Sequence, residues 1–132
     1  KLVIDADISH FGTSQKYTYS FQVTSSTKNI ADAEVELAGQ ISRPGNTDND
    51  GNNFTFKKTG DGRLMISGAN YLPGIMIAEG TLIANHSQAL GQDRALANQL
   101  EINEQGTLDL WESNTVSILS GTGRSRQGMI LQ

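Results

Sequence analysis

The fold is decided by residues 57–91, which read KKTGDGRLMISGANYLPGIMIAEGTLIANHSQALG. Apolar runs of three or four residues recur in this stretch, and each run ends near a glycine or an asparagine. Within a run the side chains alternate, so that Leu64 and Ile66 share one face of an extended chain. Strands this short, each closed by a turn residue, predict a chain that changes direction every few residues.

Alternation of period two extends beyond this stretch in both directions. Residues 2–8 and 17–23 alternate apolar and polar side chains, and residues 33–37 repeat the pattern, which predicts half-buried strands with one packed face. Residues 87–99 carry roughly helical spacing, and we expect a loop or a single short helical turn there. Short apolar runs recur downstream at 100–102, 107–111, 116–118 and 129–131.

Three all-β architectures fit short strands separated by regularly spaced turns: a sandwich, a barrel and a solenoid. Sandwich strands usually run longer than the runs of a few residues that follow Arg63. Very short strands favour a solenoid, in which the chain turns a corner every few residues. Each strand then pairs with the strand above it, at a spacing of about 4.8 Å.

The order of residues in the decisive stretch also resembles a known repeat. Residues 58–71 read KTGDGRLMISGANY, and GTL and ALG follow further on, which resembles the passenger-associated transport repeat of bacterial autotransporters. Residues 100–123 are similar to the segment that commonly follows that repeat. Arg63 and residues 71–74 depart from the family pattern, at turn or outward positions. The resemblance implies an all-β, right-handed parallel β-helix (solenoid) of about five to six coils.

We expect one β-helix segment over residues 1–132, taken from a longer protein. It would begin with degenerate coils over 1–56, with a polar loop protruding near 43–53. Repeat-like coils would follow over 57–123, and a further coil would start at 124–132. The resemblance adds that neighbouring coils of the parent passenger would be partners of this segment.

The repeat-like coils predict which residues pack and which turn. Gly68, Gly74 and Gly80 would form sharp corners with positive φ, which is easy only for glycine. Asn70 and Asn85 would stand in turns and could hydrogen-bond along a stack. Each large inward side chain would contribute roughly 1.5–3 kcal/mol on full burial. The residues expected to face inward are Leu64, Ile66, Ile75, Ile77, Leu82 and Ala84.

Composition argues against several classes of function. The 132 residues include no cysteine, which excludes disulfide bonds, thiol catalysis and cysteine-bound zinc. The net charge is -4 and no stretch is dense in Lys and Arg, so we expect no nucleic-acid partner. No apolar run approaches the roughly 20 residues of a membrane helix, so we expect no membrane segment in this chain.

Few residues are candidates for metal binding or catalysis. Residues 46–51 resemble the start of a calcium loop, but Lys57 stands where an acidic twelfth ligand is required, so we favour a solvated loop. His10 and His86 are the only histidines and no G-x-S-x-G elbow accompanies them, so we expect surface or turn roles. We therefore expect no catalytic, cofactor-binding or metal-binding residues and no cofactor.

Two pairs of carboxylates and four aromatic residues suggest sugar chemistry as the alternative. Asp5 and Asp7 stand two residues apart on the wet face of a strand, and Glu34 and Glu36 do likewise. Such pairs can cleave sugars, but any polar strand face has the same appearance. The aromatic residues could stack on sugar rings, although burial or half-burial is the simpler expectation; they are Trp111, Tyr17, Tyr19 and Tyr71.

These observations favour a structural protein. We expect a stalk or scaffold segment of a secreted or surface-displayed bacterial autotransporter passenger, outside the cell, that assists folding and export and is not itself an enzyme. The alternative is an adhesin-type module that binds a host glycan or protein. A polysaccharide-acting enzyme on a β-helix is the third hypothesis, and the sequence shows no repeated charge on one strand face to support it.

Overall fold

The structure is a computed structural model that describes residues 1–9, 17–25, 33–42, 54–91, 99–116, 118–126 and 130–131. Within these ranges it contains thirteen strands and no helix. The strands are β1 (Leu2–Ile4), β2 (Ile8–Ser9), β3 (Tyr17–Gln22), β4 (Val35–Leu37), β5 (Ile41–Ser42), β6 (Phe54–Thr59), β7 (Arg63–Ile66), β8 (Gly74–Ala84), β9 (Gln99–Leu110), β10 (Thr115–Val116), β11 (Ile118–Gly121), β12 (Arg124–Arg126) and β13 (Ile130–Leu131).

Every strand pairing in these ranges is parallel. Nine strands form one sheet, which curls into a half-barrel along the path β1-β4-β7-β8-β6-β3. The expected all-β chain with parallel strands is confirmed, and parallel pairing is incompatible with a sandwich of antiparallel sheets. The loop expected near 43–53 lies outside the described residues.

One side of the sheet, here called column A, consists of β1, β4, β7, the end of β8, the end of β9 and β12. Successive members of one row across it are 33, 29, 18, 26 and 17 residues apart in the sequence. The chain therefore returns to this column five times after its first passage. The row joins Leu2, Val35, Leu64, Leu82, Leu108 and Ser125.

A second side, column B, consists of β3, β6, the beginning of β8, the beginning of β9 and β11. The strands β8 and β9 contribute to both columns, and their mutual register shifts between Ile77 and Glu79, where β8 passes from column B to column A. Gly80, with φ +76°, stands at this corner. One row across column B joins Tyr19, Phe56, Ile75, Leu100 and Leu119.

Short segments form a third group, column C. Two strand pairs belong to it, β2 with β5 and β10 with β13. Between them the backbone continues the stack, because Tyr71 N–H donates to Ile41 C=O at 2.7 Å and Asn70 N–H donates to Gln88 C=O at 3.0 Å. The chain thus passes columns A, C and B in turn, which explains why its strands are short.

The main core fills the space that the three columns face. The six side chains expected to point inward do so, and none of them is more than 2% exposed, so this prediction is confirmed. A smaller cluster of Ala33, Met65 and Ile83 packs on the other face of column A. Column A is therefore buried on both faces in its middle, a feature that period-two alternation does not predict.

The packed face expected for residues 2–8 is wrong. Leu2 is 59% exposed, Ile4 is 37% exposed and Ala6 is also exposed. The alternation identified a strand correctly, but β1 has β4 as its one strand neighbour in the described part of the chain. Burial in a stack requires a neighbour on each side, and a terminal strand has only one.

The expected cause of two glycines is also wrong. Among Gly68, Gly74 and Gly80, only Gly80 has a positive φ. Gly68 is required for a different reason, since a Cβ there would overlap the carbonyl oxygen of Gly39 in the neighbouring turn. Gly74 lies within β8, where a Cβ would stand 3.0 Å from Thr55 Oγ1. Close approach of stacked backbones, more than φ, selects glycine here.

Candidate functional site

The first buried polar group is Lys58, on the inner face of β6. Phe54 and Phe56 precede it on that face, and in column B it pairs with Ile77. The residue is wholly buried, at 0% exposure. A lysine in an apolar row requires a hydrogen-bond acceptor for each of its three N–H groups.

The three acceptors are backbone carbonyl oxygens at two successive corners. Lys58 Nζ donates to the carbonyls of Thr59 at 2.7 Å and Gly60 at 2.7 Å, and to that of Glu79 at 3.1 Å. A Cβ on Gly80 would stand 2.7 Å from the same Nζ, so glycine leaves room for the ammonium group. Lys58 thereby ties the corner after β6 to the corner within β8.

Burial changes the protonation of this lysine. Desolvation lowers the pKa of Lys58 from 10.5 to about 8. The carboxylates of Glu79, Glu34 and Asp61 oppose this lowering because they favour the charged form. The ammonium form still predominates at neutral pH and is the form that supplies three donors.

The second buried polar group is Asn70, in column C. Asn70 is 0% exposed, its Oδ1 accepts from Ile41 N–H at 2.8 Å, and its Nδ2 donates to Ala89 C=O at 2.9 Å. One amide therefore connects the turn below with the turn above. The expectation that Asn70 hydrogen-bonds along the stack is confirmed.

Asn114 repeats this arrangement one passage later. Its Oδ1 accepts from Leu90 N–H at 3.0 Å, and its Nδ2 donates to the carbonyls of His86 and Glu112, each at 2.9 Å. Asn85 does not take part in such a chain of amides, since its Nδ2 donates to Met65 Sδ at 3.7 Å. The two stacked amides are thus Asn70 and Asn114.

Charged groups lie on the outer face of column A. Asp109 is 7% exposed, and its Oδ2 lies 3.4 Å from Arg63 Nη2 and 4.0 Å from Arg126 Nη1. Glu36 accepts from Ser67 Oγ at 2.6 Å and lies 3.0 Å from Lys1 Nζ. These pairs connect neighbouring strands across the sheet, which supports register more than chemistry.

The sequence-based candidates for catalysis are dispersed. His86 stands in the turn after β8, where its Nδ1 accepts from Gln88 N–H at 3.0 Å, which fits the expected turn role. His10 and the calcium-like residues 46–51 lie outside the described residues. Where side chains are described, no group of three or more His, Asp or Glu residues could hold a metal ion.

The two carboxylate pairs differ in their surroundings. Asp5 and Asp7 are exposed, as expected for a wet face, and Asp7 Oδ1 accepts from Gln40 N–H at 2.9 Å. Glu34 and Glu36 are half-buried, and Glu34 Oε2 accepts from Arg63 N–H at 3.2 Å. All these contacts join one passage of the chain to the next.

The aromatic residues do not form one platform. Tyr71 is buried at 4% exposure, while Trp111 is 40% exposed and Tyr19 is 41% exposed, so the expected burial of the last two is wrong. Trp111 lies in the turn after β9, where no strand covers it, and Tyr19 lies on the terminal strand β3. The Tyr17 side chain lies outside the described part of the chain.

Sequence reasoning missed Lys58 and Asn114. The alternation of Phe54, Phe56 and Lys58 in FTFKKT places the lysine inward, and this signal was present. Asn70 and Asn114 each follow a row leucine of column A by six residues, and this shared offset could have identified the second asparagine.

Comparisons of this chain with protein-family models, with curated proteins and with solved structures find no match. Among the described residues, no helix has the length and apolar character needed to cross a membrane.

Proposed function

We propose that this chain is a right-handed parallel β-helix of five to six coils that acts as a structural stalk in a secreted or surface-displayed autotransporter passenger. The observation that carries the proposal is the row from Leu2 to Ser125 in column A, which the chain visits six times. A parallel crossover connection is right-handed in nearly all proteins, which supports the proposed handedness.

The buried polar groups support a structural role. Lys58, Asn70 and Asn114 all direct their hydrogen bonds to backbone atoms of adjacent passages. Bonds of this kind fix one passage on the next and stiffen the stack along its length. A stalk requires such stiffness, because it must hold other regions of a protein away from the cell surface.

The same contacts support a role in export. Each passage of a stacked chain contacts mainly its two neighbours, so passages can fold one upon another as they emerge from a pore. We propose that folding of these coils on the outer side of the outer membrane assists translocation. Neighbouring coils of the parent passenger are the natural partners of the terminal strands.

The test places the chain between a reporter and the membrane barrel of a bacterial autotransporter. We expect Leu82→Asp to lower the amount of reporter at the cell surface several-fold, because it puts a charge into a fully buried row. Asp5→Asn, at an exposed position, is the control and should leave delivery unchanged. Equal surface delivery by the two variants contradicts the proposed export role.

A second candidate function is an adhesin-type binding module. Trp111 is 40% exposed in a turn on the flank of the stack, where an indole ring could stack on a sugar. A screen of immobilised host glycans, read out by tryptophan fluorescence, tests this candidate. Binding that Trp111→Ala abolishes favours it, and the absence of any binding glycan rejects it.

A further inference from the structure

Large apolar side chains are exposed mainly at the two ends of the stack. In the described part of the chain there are six exposed large apolar residues, and five of them lie on terminal strands. Trp111 is the sixth and lies on the flank. The five on terminal strands are Leu2, Val3, Ile4, Tyr19 and Leu119.

The N-terminal end consists of β1 and β3. Leu2 N–H donates to Glu34 C=O and Ile4 C=O accepts from Ala38 N–H, so both of these residues direct their backbone groups toward β4. Alternation along a strand then directs the N–H and C=O of Val3 to the opposite edge, away from β4. This edge carries Leu2 at 59% and Val3 at 49% exposure.

The C-terminal end consists of β11 and β12. Both strands have β9 as their neighbour, and the side chains of β12 are exposed. Leu119 is 39% exposed and ends the column B row that begins with Tyr19 at the other end of the stack. Ser125 ends the column A row that begins with Leu2.

We propose that copies of this chain stack head to tail, with β1 and β3 of one copy on β12 and β11 of the next. The occupant of each open end is thus a second copy, and the parallel rows continue across the contact. This inference rests on the ends of the stack and does not depend on the proposed role in secretion.

Continuing the rows brings matching side chains together. Tyr19 would lie over Leu119, so that two half-exposed apolar groups cover one another. Leu2 would lie over Ser125, and the unused N–H and C=O of Val3 would pair with β12 as they do between strands within the sheet.

The charges of the two ends are largely complementary. Arg124 and Arg126 are exposed on β12, whereas Asp5 and Asp7 are exposed directly after β1. In continued register Arg126 lies beside Val3 and two positions from Asp5, within reach of a long side chain. Heterologous contacts of this kind extend indefinitely unless the geometry closes a ring.

The unfavourable contact is Lys1 opposite Arg124, two positive charges in one row. Lys1 Nζ lies 3.0 Å from Glu36 Oε1, and this carboxylate reduces the repulsion. One layer of short strands makes a small contact, so we expect weak association of the class that buries less than about 1,200 Å².

The first experiment is sedimentation equilibrium of the 132-residue chain over a wide range of concentration. We expect the mean mass to rise with concentration from the 14.2 kDa of one chain to at least twice that value. A mass that stays at one chain up to the solubility limit overturns the proposal.

Two variants then separate the ends. Val3→Pro removes the outward N–H without touching the bonds to β4, with Leu2→Lys as the replacement if the proline variant does not fold by circular dichroism. Leu119→Arg places a charge at the other end. Trp111→Arg is the matched control, since Trp111 is as exposed as Leu119 but lies on the flank.

Head-to-tail stacking predicts a particular result on mixing. Each end variant alone should remain at the mass of one chain, the control should associate like the unchanged protein, and an equimolar mixture of the two end variants should form a dimer. That dimer pairs the intact C-terminal end of one variant with the intact N-terminal end of the other. Association of either end variant alone, or a mixture that stays monomeric, contradicts the proposal.

Discussion

Leu82 and Leu2 occupy the same row of column A, yet Leu82 is 0% exposed and Leu2 is 59% exposed. Leu82 lies between Leu64 and Leu108, whereas Leu2 has Val35 on one side only. Residue type, strand conformation and facing direction are the same in both regions. In a stack of parallel strands, burial therefore depends on the position of a strand in the stack as much as on its own sequence.

The largest expected difference follows from truncating these two leucines. Leu82→Ala should lower the free energy of unfolding by about 3–5 kcal/mol, because a buried leucine leaves a cavity. Leu2→Ala should lower it by less than about 1 kcal/mol, because most of the side chain already contacts water. Urea unfolding followed by circular dichroism measures both, and equal losses contradict the distinction between middle and end.

Lys58 gives a pH-dependent comparison with its neighbour Lys57. The pKa of Lys58 is about 8 in the folded chain and 10.5 when unfolded. Between these pH values the unfolded chain binds more protons, so the free energy of unfolding should rise with pH. The full rise is about 3 kcal/mol, at 1.36 kcal/mol for each pKa unit.

The measurement is the urea midpoint at intervals from pH 7 to pH 10.5. Lys58→Met should remove the rise, because the buried group no longer titrates. Lys57→Met, at the half-buried position next along β6, is the control and should retain it. An unchanged pH profile in Lys58→Met shows that another group causes the rise.

A smaller difference is expected between the asparagines of column C and its border. Asn70→Ala leaves Ile41 N–H and Ala89 C=O without their buried partner, which should cost about 2 kcal/mol. Asn85→Ala removes a weak contact to Met65 Sδ and should cost less than about 1 kcal/mol. Thermal unfolding of the two variants compares them, and an equal loss contradicts a special role for the stacked amide.

The sequence allowed most of the middle of the stack to be predicted. Alternation places a side chain on one face or the other, and Leu64, Ile66 and Leu82 face inward as expected because local geometry fixes that choice. Asn70 was also identified correctly, since it stands in a turn where the side chain can reach two backbones.

The remaining features depend on contacts between distant residues. No local pattern reveals that β1 lacks a second neighbour, so the burial expected for Leu2 and Ile4 was wrong. Gly68 was assigned to a positive φ, although its cause is the nearby carbonyl of Gly39 in another passage. Alternation places Lys58 inward, but the carbonyls that make this tolerable come from a corner 21 residues away.

The most direct test of stacked passages compares the urea midpoints of two internal deletions. Leu108 follows Leu82 in the row by 26 positions, so deletion of residues 82–107 removes one complete passage and puts Leu108 in the place of Leu82. Deletion of residues 82–91 alone removes fewer residues but breaks columns A and C. We predict that the larger deletion unfolds cooperatively at the higher urea concentration. A higher midpoint for the smaller deletion contradicts the account of passages stacked in register.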